Sequence, residues 1–298
     1  MDLRQLGIFS KVAEIGSFSK AAEALHLTQP TVSEHIRTLE EELGVRLLDR
    51  LGRGAAVTPA GHVLLGYANR LLALQREARQ AVDGFQGKMS GELQVGGSTI
   101  PGEYVLPALI GRFKEKYPEI AVTLLIGDSQ LVVDWVVHGR VEVGVVGARL
   151  PHRQVEYREL MPDEEVVVVP AGHPWHGKKH ITLAELAAEP LLIRERGSGT
   201  RAALEAALAA AGVELSSFRI VGEMGSTQAI KQAVKAGVGI SVLSRRAVDE
   251  ESHAGTLWCL RVKDLKVTRA FDMVTHRDRS RSPLAEAFRA FLDAEVVA

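Results

Sequence analysis

Apolar residues in the first 44 positions recur every three or four residues, which is the spacing of amphipathic helices. The pattern predicts three short helices. The first ends at Gly16, Ser17 or Ser19 caps the second, and the third has Pro30 in its first turn and ends at Gly44. The apolar positions of the three helices are Leu3, Leu6, Phe9, Val12 and Ala13, then Ala21, Ala22 and Leu25, and then Val32, Ile36, Leu39 and Leu43.

Two short strands and one long helix are predicted next. Residues 45–48 and 55–58 have strand patterns and flank a glycine-bounded turn over 51–54. From Pro59 to about residue 87, an apolar stripe predicts a long helix. A helix of this kind between two domains usually pairs with a copy of itself. The alternative is that it packs on its own chain, and we favour pairing.

The order of these elements is that of a winged helix-turn-helix, whose second helix enters the major groove of DNA. Side chains that can donate or accept hydrogen bonds cluster near the start of the third helix, and arginines follow on that helix and in the wing. The predicted DNA-binding residues are Thr28, Gln29, Pro30, Thr31, Ser33, His35, Arg37, Arg50 and Arg53. Gln29 suits a bidentate contact with adenine, whereas the arginines suit phosphate or the minor groove. The alternative is that these residues form an ordinary solvated helix face.

The charge of the chain limits this interpretation. Lysine and arginine total 36 against 37 aspartate and glutamate, and the first 58 residues are not basic either. Phosphate contacts supply much of the affinity of nucleic-acid modules, so one copy should bind weakly. We therefore expect two or more copies to share one DNA site, which also favours pairing of the long helix.

Beyond Gly91, short hydrophobic strands alternate with helices. This alternation predicts a mostly parallel sheet covered on both faces, arranged as two lobes with a cleft between them. The predicted strands cover 92–96, 120–126, 141–146, 165–169, 191–193, 219–221, 240–243 and 270–275. The predicted helices cover 101–116, 129–138, 198–211, 227–236 and 283–296.

The chain as a whole is predicted to be α/β, with three parts. Residues 1–58 form the DNA-binding domain, with the helix-turn-helix at 18–37, and residues 59–90 form the linker helix. Residues 91–298 form an effector-binding domain. Its first lobe covers about 91–162 and 267–298, and its second lobe covers about 163–266.

Hydroxyl side chains recur at the starts of helices in this second half. They are commonly only N-caps, but helix N-termini that follow parallel strands gather where ligands bind, and they favour anions. The residues predicted to bind an effector are Ser98, Thr99, Ile100, Ser129, Gly147, Arg196, Ser198, Thr200 and Thr227. We expect a small anion such as a carboxylate, a phosphate or a sulfur oxyanion.

An enzyme, or a two-lobed binding protein whose N-terminal helices are only structural, is the alternative class. The glycines at 96–97 and 197–199 lack the ending of a phosphate-binding loop, and the histidines are scattered. No catalytic residue, cofactor or metal site is predicted. The single cysteine, Cys259, excludes an intramolecular disulfide. With no apolar leader and no long apolar run, we expect a cytoplasmic protein that does not bind membranes.

The first ninety residues resemble the LysR-type transcriptional regulators, and the layout of the remaining chain fits that family. The resemblance is carried by Phe9, Val12, Ala13, Gly16, Ser17, Phe18, Ala21, Ala22, Leu25, Gln29, Pro30, Val32, Ser33, Ile36, Leu39, Glu40, Leu43, Gly44, Leu47, Arg50, Thr58, Ala60 and Gly61. It implies a winged-helix DNA-binding domain, a dimerising linker helix and a periplasmic-binding-protein-like effector domain with two lobes.

The resemblance also implies partners and a mode of action. These are double-stranded DNA with an imperfect inverted repeat, a small-molecule effector, and copies of the same chain that form a tetramer from two dimers. RNA polymerase is a further candidate partner, and relatives most often activate a neighbouring gene and repress their own. The stretch 196–200 resembles the sulfur-metabolism and carbon-fixation branches of the family. Glu34 departs from the family pattern, since many relatives carry a basic or amide residue there.

Overall fold

A computed structural model of the chain describes residues 1–51, 54–84, 89–263 and 265–297. They form two compact units, which divide close to residue 89. Within these ranges no helix has the length and apolar character needed to cross a membrane.

The N-terminal unit consists of three short helices, a two-stranded wing and a long helix. Their bounds are α1 Leu3–Ile15, α2 Phe18–Ala24, α3 Gln29–Leu43, β1 Leu48–Leu51, β2 Gly54–Val57 and α4 Pro59–Gly84. Side chains of Asp2, Ser17 and Thr28 cap the first three helices, and Gly16 and Gly44 follow α1 and α3 in the left-handed conformation. Ser17, rather than Ser19, is therefore the cap of α2.

The wing begins later than the sequence indicates. A strand was expected over 45–48, but β1 starts at Leu48 and pairs antiparallel with β2. The Glu40 carboxylate explains the shift, because its Oε1 accepts hydrogen bonds from the backbone N–H groups of Leu47 (2.8 Å) and Leu48 (3.1 Å). The backbone leaving α3 is thus held by a side chain before it can pair as a strand.

The long helix α4 has two apolar faces with different surroundings. One packs into the core of the N-terminal unit, where Ala68 is fully buried and Leu64 and Leu65 are partly buried. The other face is exposed over four turns and more, and its apolar residues follow the helical repeat. They are Val63, Tyr67, Leu71, Leu74 and Val82.

The C-terminal unit alternates strands and helices as expected. Its strands are β3 Gly91–Ser98, β4 Ile120–Gly127, β5 Val143–Val146, β6 Val155–Pro170, β7 His180–Ile181, β8 Leu191–Arg194, β9 Ile220–Met224, β10 Ile240–Ser244, β11 Leu257–Val262 and β12 Thr268–His276. Its helices are α5 Leu106–Lys116, α6 Ser129–Val137, α7 Leu183–Ala188, α8 Gly199–Ala210, α9 Thr227–Lys235, α10 Asp249–His253 and α11 Pro283–Val297. The helix predicted over 101–116 is instead a π-helical turn, Pro101–Val105, followed by α5.

The sheet has the order β4-β3-β5-β12-β6-β10-β8-β9, and β11 and β7 extend it from β6. The outer strands pair in parallel as predicted, but β6 and β12 run antiparallel to each other and to their neighbours β10, β11 and β5. The expectation of a mostly parallel sheet was wrong at this centre. Strands β6 and β12 lie where the chain crosses between the lobes. One carries the chain out of the first lobe and the other carries it back, so the two pair antiparallel.

Each lobe has its own core. In the first lobe α5 and α11 pack on β3 and β12 through aromatic contacts between Phe113, Phe288 and Phe291. In the second lobe α7 and α8 cover one face of the sheet, whereas α9 covers the other. Strand β6 alternates between these two cores, with Val167 on the α8 side and Val166 on the α9 side.

Candidate DNA-reading helix and effector cleft

The start of α3 presents a row of exposed polar groups. Thr28 accepts from the backbone N–H of Thr31 (3.3 Å), and the two hydroxyl oxygens are 2.8 Å apart. The side-chain amide of the next residue, Gln29, donates to the hydroxyl of Ser33, one turn further along the helix (2.8 Å). These four residues were predicted to contact DNA, and the structure joins them in two pairs, Thr28 with Thr31 and Gln29 with Ser33, at the start of α3. Thr28 also has a structural role there, because it caps the helix.

Arg37, predicted to contact phosphate, is instead held by two acids of its own helix. Its Nε and Nη2 lie 3.0 and 2.5 Å from the carboxylate oxygens of Glu34, and its Nη1 also donates to Glu41. The hydrogen bonds from Arg37 hold the pKa of the Glu34 carboxyl below its usual value. The positive charge of Arg37 is therefore largely balanced before any phosphate approaches.

The remaining predicted DNA contacts lie in three places. Pro30 is exposed in the first turn of α3, and His35 is half-buried on the same helix. The backbone of Arg50 belongs to β1, opposite Ala55 of β2. The Arg50 side chain and the whole of Arg53 lie outside the described residues.

Six of the nine predicted effector residues come together between the lobes of the C-terminal unit, at the ends of β3 and β8 and the starts of α6 and α8. The cleft there is lined by Ser98, Thr99, Ile100, Asp128, Ser129, Arg194, Ser198, Gly199, Thr200 and Arg269. Its free volume is about 10 Å³, which is room for roughly one water molecule. An effector larger than water therefore requires the lobes to separate or the side chains to move.

Arg194 is one of two arginines that line this cleft, the other being Arg269. Its side chain is 1% exposed, and it donates to Thr227 (2.5 Å), to Thr99 of the other lobe (3.3 Å) and to both carboxylate oxygens of Glu195 (2.7 Å each). The sequence prediction named Arg196 instead. Arg196 is exposed and does not line the cleft, because it lies in the turn after β8, whereas Arg194 ends the strand.

The structure separates hydroxyls that cap helices from hydroxyls that do not. Ser226 caps α9, but Asp128 and not Ser129 accepts the N-terminal hydrogen bond of α6 (2.7 Å from Leu131 N). The Ser129 hydroxyl is buried and has no hydrogen-bond partner among the described residues. Ser198 precedes α8 without a side-chain capping bond. Capping therefore does not account for these two hydroxyls, and both line the cleft.

A buried ionic cluster beneath the cleft was not predicted from the sequence. Arg269 of β12 donates through Nε to Asp163 (3.0 Å), and its Nη1 lies 3.3 Å from the Glu165 carboxylate. The other oxygen of Asp163 accepts from the Ser244 hydroxyl (2.7 Å). Burial raises the pKa of the Glu165 carboxyl to about 8. The signal in the sequence was two acids and one arginine inside otherwise apolar strands, which is rare unless such groups are paired.

Gly147, another predicted effector residue, lies next to Arg269 of the same ionic cluster. A Cβ at this position would lie 3.0 Å from the Arg269 Nη1, as would one at Gly199. The Gly147 N–H donates to the Ser98 hydroxyl (3.0 Å). The two glycines thus let the guanidinium of Arg269 approach the cleft between strand β5 and helix α8.

Both halves of the chain match models of one protein family. Residues 3–62 match the bacterial regulatory helix-turn-helix protein of the lysR family, and residues 86–296 match the LysR substrate binding domain. The chain belongs to the LysR family. A probable RuBisCO transcriptional regulator of Cyanophora paradoxa is 34% identical over 96% of this chain and 89% of that protein.

Solved structures of the LysR family have the same fold. CbnR, a LysR family transcriptional regulator, is 25% identical with a TM-score of 0.72, and 99% of each chain is covered. The regulatory domain of CcmR from Synechocystis PCC6803, solved in complex with 2-PG, is 28% identical with a TM-score of 0.63 over 70% of this chain and 98% of that one. This LysR-family chain is thus a DNA-binding transcription regulator with an effector-binding domain, and the enzyme alternative is rejected.

Proposed function

We propose that the effector is a small anion that carries a phosphate or carboxylate group and binds in the cleft between the lobes. The observation that carries this proposal is the buried guanidinium of Arg194, which faces hydroxyls of both lobes at the start of α8. The N–H groups at a helix start favour negative charge, and an anion that takes the place of Glu195 would pair with the buried guanidinium. The related CcmR regulatory domain was solved in complex with 2-PG, which agrees with this chemistry.

The effector would act by opening the cleft. Arg194 joins the lobes through its 3.3 Å contact with Thr99, and the cleft has room for about one water molecule. An anion of several atoms that takes Arg194 as its partner would break this contact and favour a more open arrangement. Such a ligand shifts the population only as far as it prefers one arrangement over the other.

Paired calorimetric titrations test the cleft. The full chain is titrated with 2-PG, inorganic phosphate and a neutral polyol, and we expect heat only from the anions. Arg194→Gln should weaken 2-PG binding at least tenfold, whereas Arg196→Gln, an exposed neighbour with the same charge, should leave it unchanged. Binding of the neutral compound alone, or equal loss in both variants, would contradict the proposal.

For the target genes we propose carbon fixation, because the curated relatives are described as probable RuBisCO transcriptional regulators. The chain would activate a neighbouring operon, with RNA polymerase as its partner at the promoter, and repress its own gene. Chromatin immunoprecipitation should recover a promoter of carbon-fixation genes and the promoter of its own gene. Recovery of neither would contradict this part of the proposal.

On DNA we propose that Thr28, Gln29, Thr31 and Ser33 read bases and that the wing arginines Arg50 and Arg53 contact the backbone. Pro30 and His35 would pack beside the base edges, and Arg37 would reach phosphate once released from Glu34.

Dimers form through the exposed face of α4 and two dimers form a tetramer, so that paired reading helices occupy an imperfect inverted repeat. Gln29→Ala should relax base preference, whereas Arg50→Ala should weaken all sequences alike; equal losses on specific and random DNA for Gln29→Ala would contradict the assignment.

A further inference from the structure

The second lobe contains a pocket separate from the effector cleft. It lies between α7, α8, β10 and the end of β11, and its volume is about 470 Å³. Small-molecule sites in proteins span about 300–1,000 Å³. Its walls are buried and aliphatic, and include Val167, Leu186, Leu204, Val242, Val262 and Val267.

One polar side chain lies on the buried wall of the pocket. Glu165 is 4% exposed, and neither of its carboxyl oxygens has a hydrogen-bond partner of normal geometry among the described residues. Arg269 Nη1 is 3.3 Å from one of them, and the Thr200 hydroxyl is close enough to lower the pKa of the carboxyl slightly. Burial favours its neutral form, as shown by its raised pKa. A protonated carboxyl can both donate and accept, and a buried group of this kind gains from a polar ligand atom.

The rim of the pocket is cationic. Lys263 and Lys266 are exposed there, beside His180 and Arg261. Arg261 is already bound through two hydrogen bonds to Glu164 (2.8 Å for Nη2). Among the rim residues that the structure describes, the two lysines give an excess of positive charge, and they favour an anionic group at the entrance.

We propose that this pocket is a second ligand site, and that it binds a medium-chain carboxylic acid with a hydroxyl at the other end. The carboxylate lies at Lys263 and Lys266, the aliphatic chain contacts the valine and leucine walls, and the hydroxyl meets Glu165. The walls contain no phenylalanine, tyrosine or tryptophan among the residues named for the pocket, which favours an aliphatic body over a ring.

The first experiment compares 8-hydroxyoctanoate with octanoate by calorimetry on the full chain. We expect one 8-hydroxyoctanoate per chain, and about tenfold weaker binding of octanoate, since it leaves the buried carboxyl without a partner. Shortening the hydroxy acid by one methylene should cost about fourfold in affinity. Absence of binding, or equal affinity for both acids, would overturn the proposal.

Variants then locate the bound acid. Lys263→Ala combined with Lys266→Ala should weaken both acids by a similar factor, whereas the double variant Lys114→Ala and Lys116→Ala, which removes two charges from the other lobe, should have no effect. Leu204→Phe should fill the pocket and abolish binding, with circular dichroism to verify folding. If Leu204→Phe does not fold, the combined Lys263→Ala and Lys266→Ala variant provides the test.

A cleft variant separates this site from the effector site. Arg194→Gln should leave 8-hydroxyoctanoate binding unchanged while it weakens 2-PG. If Arg194→Gln abolishes hydroxy-acid binding and the rim variants do not, the acid occupies the effector cleft and the second site is refuted. If 2-PG binding fails but hydroxy-acid binding follows the pattern above, only the anion proposal for the cleft is wrong.

Discussion

At the scale of single residues, Gly61 shows how closely α4 meets the wing. A Cβ built at this position would lie 2.1 Å from the Leu47 carbonyl oxygen and 2.8 Å from a methyl of Val57. A backbone oxygen cannot move aside as a side chain can. Gly61→Ala should therefore lower the free energy of unfolding by about 1–3 kcal/mol, measured by urea denaturation.

Gly111 is the matched control for this substitution. It lies inside α5, and a Cβ there would meet no atom within 4 Å. Gly111→Ala should stabilise the protein by about 0.5–1 kcal/mol, because alanine favours the helix. Equal effects of the two substitutions would show that the wing yields to the added methyl group.

Glu165 predicts a pH dependence of stability. Its folded pKa of about 8 lies above the ordinary value of 4.5, so between these values the folded chain binds more protons at this site than the unfolded chain. Its contribution to the free energy of unfolding is complete below pH 4.5 and falls as pH rises toward 8, by at most about 1.4 kcal/mol per pH unit. Glu165→Gln should remove this slope.

The measurement is urea denaturation of both chains from pH 5 to pH 8.5. The difference between wild type and Glu165→Gln should change steadily with pH, because Asp163, Arg194 and Arg269, the charged groups that act on Glu165, are present in both. Parallel curves would mean that the carboxyl stays ionised and paired with Arg269.

At the scale of elements, helix α3 carries the polar residues predicted to bind DNA and also Arg37, which forms ion pairs with Glu34 and Glu41 of the same helix. Glu34→Gln should leave Arg37 held by Glu41 alone and so make it more available to phosphate, since Glu34 supplies two of its three hydrogen bonds. We expect tighter binding to random DNA at low salt, and a dependence of affinity on salt steeper by about one unit of log–log slope. Fluorescence anisotropy across a salt series measures both.

The control is Glu115→Gln, which removes one exposed negative charge from α5. It changes net charge equally but is remote from α3 in sequence and belongs to the other unit. If both variants steepen the salt dependence alike, net charge and not Arg37 is responsible.

Most elements could be predicted from the sequence because their signals are local. The caps Ser17 and Thr28 and the glycines that follow α1 and α3 mark helix ends directly. The position of β1 could not be predicted, since it depends on a side chain of α3 that binds the backbone after Leu47. The antiparallel centre of the sheet was missed for a similar reason, because strand pairing is set by distant parts of the chain.

The same distinction applies to the cleft. Serines and threonines at helix starts are visible in the sequence, and Ser98, Ser129, Ser198 and Thr200 do line one site. Which arginine joins them depends on the residue at which β8 ends, and that residue is Arg194. Arg269 comes from a strand some 70 positions later in the chain, so only the fold brings it to the cleft.

At the scale of the whole molecule, the near balance of charge predicts that one copy binds DNA weakly, so we expect the affinity to come from several copies. The exposed stripe of Val63, Tyr67, Leu71, Leu74 and Val82 on α4 is the surface that we expect to join two chains. Leu71→Glu combined with Leu74→Glu should place charges on this stripe and produce monomers, as measured by sedimentation equilibrium.

The monomeric variant should lose affinity for an inverted repeat by about 100-fold or more, because the second contact is no longer intramolecular, while binding to a single half-site should be unchanged. The control is Val45→Glu, which adds a charge at an apolar residue exposed to a similar degree (43%, against 41% for Leu71) but outside α4. If the chain stays dimeric with both leucines replaced, the dimer interface does not lie on this stripe of α4. A monomer that still binds the inverted repeat tightly would instead show that one copy supplies the affinity, and the charge argument would be wrong.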